Sequence, residues 1–95
     1  MSPSKPTDPV LAAHRADLEQ LDAELVQLIA RRVEIARAVG AHKKAAGLAT
    51  LDASREAAVV RRAATLARDA QLPEEPVRAV FWQVMELCRR VQEGA

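Results

Sequence analysis

The sequence has little of what most enzyme sites are built from. Among its 95 residues there is one cysteine, Cys88, and two aromatics, Phe81 and Trp82, with no tyrosine. A lone cysteine closes no internal disulfide, and no second cysteine stands near a histidine at a metal-ligand spacing. The three glycines make no phosphate-cradling loop, and nucleophile elbow and internal repeat are both missing. No metal and no cofactor are therefore expected. No apolar run approaches the ~20 residues of a membrane span, and the start lacks a secretory leader's apolar stretch, so a cytoplasmic protein is expected. Charge of one sign is lacking too: 14 basic residues oppose 13 acidic ones, net +1. Bulk electrostatics thus give no reason for nucleic-acid or acidic-membrane binding, and any electropositive site must be local.

What is present is helix-forming sequence. Apolar residues make up 49% and charged residues 28%, with Ala, Leu, Val, Arg and Glu dominant and strand formers scarce. Residues 1–8 read as a flexible N-terminal tail and residues 9–95 as a single helical domain. Asp8 and Pro9 read as cap and first position of a helix that meets no strong breaker before Gly47, Gly40 being its weak point. A second helix is expected from the cap Asp52 to about Gln71, and a third from Pro73–Pro76 to about Glu93, with Glu74 and Glu75 at its positive end. The fold class is all-α, with three helices per chain.

Leu11, His14, Leu18, Leu21, Leu25, Leu28, Arg32, Ile35, Val39 and His42 alternate intervals of three and four, the seam of a coiled coil. A first helix of about 36 residues is ~54 Å long, whereas a globule of this size is only ~32 Å across. One chain cannot cover that seam, so an intertwined helical homodimer is expected, with two copies of the first helix packed antiparallel.

Arg32 stands where the seam should be apolar, and a guanidinium there is costly unless an anion meets it. Either it receives a ligand, or it snorkels to water or pairs with an acid such as Glu56. Lys43, eleven residues on, returns to within ~20° of the same face; alone it reads as a solvated lysine. Arg15 lies ~25 Å before Arg32 along the helix, so one small ligand meets both only across an antiparallel pair; alone it is an exposed arginine. Asp52, Arg55 and Glu56 share a face at i, i+3 and i+4, either as a cap with a surface ion pair or as part of a site. Cys88 and Gln92 share a face of the third helix beside an expected apolar stripe of Val77, Val80, Val84, Leu87 and Val91, where Cys88 also reads as a small filler. Trp82 and Phe81 read as packing residues, His14 and His42 as satisfied structural histidines.

Arg15, Leu21-Asp22, Arg31-Arg32, Gly40, Lys43, Asp52-Ala53-Ser54-Arg55-Glu56, and Gln92 four residues after Cys88 together resemble the all-helical (type II) chorismate mutase family, over residues 10–92. That resemblance implies an isomerase of aromatic amino-acid biosynthesis, the shikimate pathway, which rearranges chorismate to prephenate in sites shared across a homodimer. It implies that Arg32 of one chain and Arg15 of the other hold the two substrate carboxylates, and that Lys43 and Gln92 donate to the ether oxygen. Asp52 and Glu56 would meet the ring hydroxyl, with Arg55 in support. Relatives often carry a hydroxyl residue where this chain has Cys88, so its contact to a carboxylate is weakened. The resemblance also leaves room for a regulatory partner enzyme, such as the first enzyme of the shikimate route. Rival readings are an isochorismate pyruvate-lyase, which usually lacks the Asp-x-x-Arg-Glu stretch, a 4-amino-4-deoxychorismate mutase, and a non-catalytic helical dimerisation or regulatory module.

Overall fold

The structure, a computed structural model, describes residues 8–94; the rest of the expected tail, residues 1–7, lies outside them. Three α-helices follow one another, α1 (Pro9–Ala46), α2 (Ala53–Asp69) and α3 (Glu74–Gln92), and no strand occurs among the described residues. The all-α expectation and the three helix positions agree with this. No described helix is long and apolar enough to cross a membrane.

Local chemistry accounts for each boundary. Asp8 Oδ1 accepts from the N–H groups of Val10 at 2.8 Å and Leu11 at 3.4 Å, and Pro9 sits where a missing N–H costs nothing. At the other end Gly47 takes φ +69, so Leu48 N–H reaches Lys43 O at 2.8 Å and Gly47 N–H reaches Lys44 O at 3.3 Å. That pair of bonds closes the helix end on a left-handed residue. Asp52 caps α2, its Oδ1 accepting from Arg55 N–H at 2.9 Å. The end of α2 repeats the closure of α1, with Leu72 N–H on Ala67 O at 2.8 Å, but here the left-handed residue is Gln71 at φ +59.

The chain divides into two compact units, residues up to Ala30 and residues from Arg31 on. In the first, α1 carries Leu11, Leu18, Leu21, Leu25 and Leu28, each between 50% and 58% exposed. In the second, α2 and α3 pack as an antiparallel hairpin. Arg68 near the end of α2 bonds Glu74 at the start of α3 at 2.7 Å, and Glu56 near the start of α2 bonds Arg89 near the end of α3 at 2.7 Å. Ala63, Ala64 and Ala67 are buried along one face of α2, and their small side chains let the helices approach closely.

The buried line of α3 passes through Met85 and Cys88, whereas Val80 and Leu87 of the expected stripe are exposed. The sequence pattern therefore placed the packed face only in part, since Val77, Val84 and Val91 are half-buried and the other two are not. It weighs apolar residues equally, and α3 has more of them than α2 can cover. Cys88 is part of the core rather than a filler beside it. Trp82 is 46% exposed, and His14 and His42 are exposed as well, so in the single chain none of the three has the packing role expected of it.

Candidate active site

A cavity of about 280 Å³ opens in the second unit, where the last turns of α1, the start of α2 and the end of α3 meet. Its lining includes Arg32 and Lys43 from α1, Asp52, Arg55 and Glu56 from α2, and Cys88, Arg89 and Gln92 from α3. Ile35, Ala36, Val39, Val59 and Met85 supply apolar wall. Seven of the eight residues singled out from the sequence thus come together. The eighth, Arg15, is an exposed residue of the first unit and does not line the cavity.

Helix geometry explains the convergence. Eleven residues of α-helix make close to three full turns, so Arg32 and Lys43 emerge on one side of α1. The cap at Asp52 starts α2 at a fixed angle, and Arg55 and Glu56 follow one turn later on the same face. Cys88 and Gln92 are one turn apart on α3. Gly40 allows the last turn of α3 to come in: a Cβ placed there would stand 3.2 Å from Gln92 Cγ and 3.3 Å from Gln92 Cα. The glycine that looked like a weak point of α1 is where α3 touches it.

Arg32 has no carboxylate partner among the described residues; its Nη1 donates to the buried Cys88 Sγ at 3.1 Å. The expected alternative of Arg32 pairing with Glu56 is not found; Glu56 is bonded by Arg89 instead. Arg89 Nη2 donates to Glu56 Oε1 at 2.7 Å and Oε2 at 2.8 Å, while its Nε is buried without a partner. The hydrogen bond that Arg89 donates to Glu56, and then the charge of Glu56, hold the Arg89 guanidinium above its ordinary value, against the opposing effect of burial. Lys43 Nζ donates to Thr50 O at 2.9 Å, which uses one of its three N–H donors and leaves two.

Four cations line the cavity, Arg32, Lys43, Arg55 and Arg89, against two acids, Asp52 and Glu56, a local excess of two positive charges in a chain whose net charge is +1. Such a pocket suits a small dianion. Among the described residues no cluster of His, Cys, Asp and Glu is arranged to hold a metal ion. Arg89 was not singled out from the sequence. It stands beside Arg90 in the last turns of α3, where basic residues are common for helix-dipole reasons, and its role depends on Glu56, which is remote in sequence.

Fold and cavity together define a small all-helical domain whose pocket carries an excess of basic side chains. Over residues 14–93 the sequence matches the family described as chorismate mutase type II, and the chain belongs to that family. It is 36% identical over 89 residues to a bifunctional chorismate mutase/prephenate dehydratase of Neisseria gonorrhoeae, a stretch that covers 94% of this chain and 24% of that protein. It is 35% identical over 82 residues to a protein of Pyrobaculum aerophilum named 3-dehydroquinate dehydratase, covering 86% and 24% of the two. An intracellular chorismate mutase of Mycobacterium tuberculosis is 36% identical over 61 residues, covering 64% of this chain and 58% of that protein. The chain thus spans between about a quarter and three fifths of the length of these relatives.

Proposed function

We propose that the chain is a chorismate mutase that works as an intertwined homodimer in the cytoplasm, rearranging chorismate to prephenate in aromatic amino-acid biosynthesis. The observation that carries this is the cavity in which Arg32, without an acidic partner among the described residues, stands with Lys43 and Gln92. A Claisen rearrangement breaks one C–O bond and forms one C–C bond within a single molecule, with no proton, electron or leaving group to transfer. Catalysis then rests on folding a diacid into a chair-like shape and stabilising charge on the departing ether oxygen.

Arg32 offers a forked donor to one carboxylate, and the partner subunit's Arg15 would supply the fork for the other. The two N–H groups that Thr50 leaves on Lys43, and the Gln92 amide, donate to the ether oxygen as negative charge builds there. Asp52 keeps Oδ2 uncommitted while Oδ1 caps α2, and with Glu56 it accepts from the ring hydroxyl; Arg55 supports both. Cys88 already accepts from Arg32, so it aims that guanidinium and touches the substrate carboxylate only weakly. The relatives named for chorismate mutase, and the half-exposed leucines of α1, support the reading and its dimer.

The test is to incubate the purified protein separately with chorismate, isochorismate and 4-amino-4-deoxychorismate and to identify the products. Prephenate from chorismate is expected. Pyruvate and salicylate from isochorismate alone would make the protein a lyase, selective turnover of the amino compound would make it the amino-analogue mutase, and no product from any would leave a non-catalytic module. In the active enzyme Lys43→Ala should lower kcat by about 100-fold or more with the fold intact by circular dichroism, the usual cost of losing one preorganised donor. Near-normal turnover would refute the role given to Lys43.

A further inference from the structure

We propose that Arg89 is a positioning residue for Glu56: by taking both carboxylate oxygens it fixes that side chain and cancels its charge, which lets the cavity accept a dianion. The dianionic substrate is taken from the proposed function above; the pairing rests on the geometry alone. Arg89 Nη2 lies 2.7 Å and 2.8 Å from the two Glu56 oxygens, and both side chains are two-thirds or more buried, at 33% and 22% exposure.

The charges around Glu56 show what the pairing does. Arg32 and Lys43 reach the cavity from α1 and Asp52 and Arg55 from α2, while on α3 Glu86 Oε2 lies 3.6 Å from Arg89 Nη1. Arg32 and Lys43 direct their hydrogen bonds to Cys88 and Thr50, and the cation that bonds Glu56 is Arg89. Without it an uncompensated carboxylate would face an incoming dianion inside a half-buried pocket, where like charges repel far more strongly than in water. A role confined to joining α2 to α3 explains less. Arg68 and Glu74 already join the other end of that hairpin from the surface, whereas Arg89 leaves its Nε buried and unbonded while its Nη2 takes both Glu56 oxygens.

The test compares the parent with Arg89→Leu, Arg89→Lys and the double variant Arg89→Leu/Glu56→Gln. Each is assayed for chorismate turnover and, by calorimetry, for binding of isophthalate, a dicarboxylate that cannot rearrange and has no hydroxyl for Glu56 to hold. Arg89→Leu should raise KM for chorismate and Kd for isophthalate by tenfold or more, with a smaller change in kcat. The lysine variant, which keeps the charge on a shorter, non-planar head, should fall between it and the parent. Adding Glu56→Gln to Arg89→Leu should return the isophthalate Kd to within threefold of the parent.

A purely structural pair predicts otherwise: both leucine variants would lose thermal stability alike, with KM and Kd unchanged. That result overturns the proposal, as does a double variant binding no better than Arg89→Leu alone. Should the parent bind isophthalate with the expected pattern across variants but leave chorismate untouched, the mutase reading fails and the Arg89 assignment stands. Should the parent turn over chorismate with Arg89→Leu indistinguishable from it, the reverse holds. Failure to bind either compound overturns both.

Discussion

At the scale of single residues, spacing gave three same-face groups, and it was the resemblance to the chorismate mutase family that joined them into one candidate site. Arg32 with Lys43, Asp52 with Arg55 and Glu56, and Cys88 with Gln92 each share a helix face by arithmetic that needs no tertiary structure, and all seven line the cavity. Arg89 and Gly40 could not be read that way, because the meaning of each lies in a residue on another helix. Gly40 gives a test. Alanine inside a helix is worth about 0.5–1 kcal/mol over glycine, yet a Cβ at position 40 would press on Gln92 at 3.2–3.3 Å. Gln92 ends α3 and can give by a few tenths of an ångström, so Gly40→Ala should leave stability within about 1 kcal/mol of the parent while moving the amide out of line. Turnover of chorismate should fall about tenfold, since small displacements of a positioned donor are costly. An unchanged kcat alongside an unchanged melting curve would show that the close approach serves nothing. No pH dependence near neutrality is expected from the Glu56–Arg89 pair through its guanidinium. A value raised above the ordinary guanidinium range leaves the contribution complete below that range and removes it only as the pH climbs through the raised value.

At the scale of elements, the helix boundaries were legible because caps are local chemistry. Asp8, Gly47 and Asp52 act where the sequence placed them, and the break after α2 falls before Pro73 as expected. The packed face of α3 was legible only in part, through Val77, Val84 and Val91, since Val80 and Leu87 are as apolar as the Met85 and Cys88 that are buried, and only the partner helix chooses between them. Two predictions belong here. Gln71 holds a left-handed conformation that an L side chain disfavours, so Gln71→Gly should stabilise the fold by about 0.5–1 kcal/mol after allowing for the looser unfolded chain. A thermal melt checks this, and a lower midpoint would contradict it. Asp52→Ala should cost about 1 kcal/mol through the lost cap, whereas Asp52→Asn, which caps as well, should stay within a few tenths. Since asparagine removes the charge but keeps the helix start, any fall in kcat/KM in Asp52→Asn at unchanged melting temperature reports the carboxylate's contact with substrate rather than its service to α2.

At the scale of the whole molecule, what could be read was an insufficiency. The buried set among the described residues is Ala36, Ala63, Ala64, Ala67, Met85 and Cys88, mostly small side chains, while the leucines of α1 remain half or more exposed. Covering such a stripe is worth on the order of 1 kcal/mol or more per leucine, and a second copy presents a matching stripe. Leu25→Glu should therefore turn the proposed dimer into single chains by sedimentation at micromolar chain and abolish turnover, although the residue lies outside the cavity; a parent that already sediments as single chains would contradict the dimer. The position of Arg15 carries this one step further. If each cavity borrows that guanidinium from its neighbour, the enzyme is its own obligatory cofactor, and dilution acts as an inhibitor. Well below the dissociation constant of the pair, the initial rate should then grow with the square of the amount of protein added.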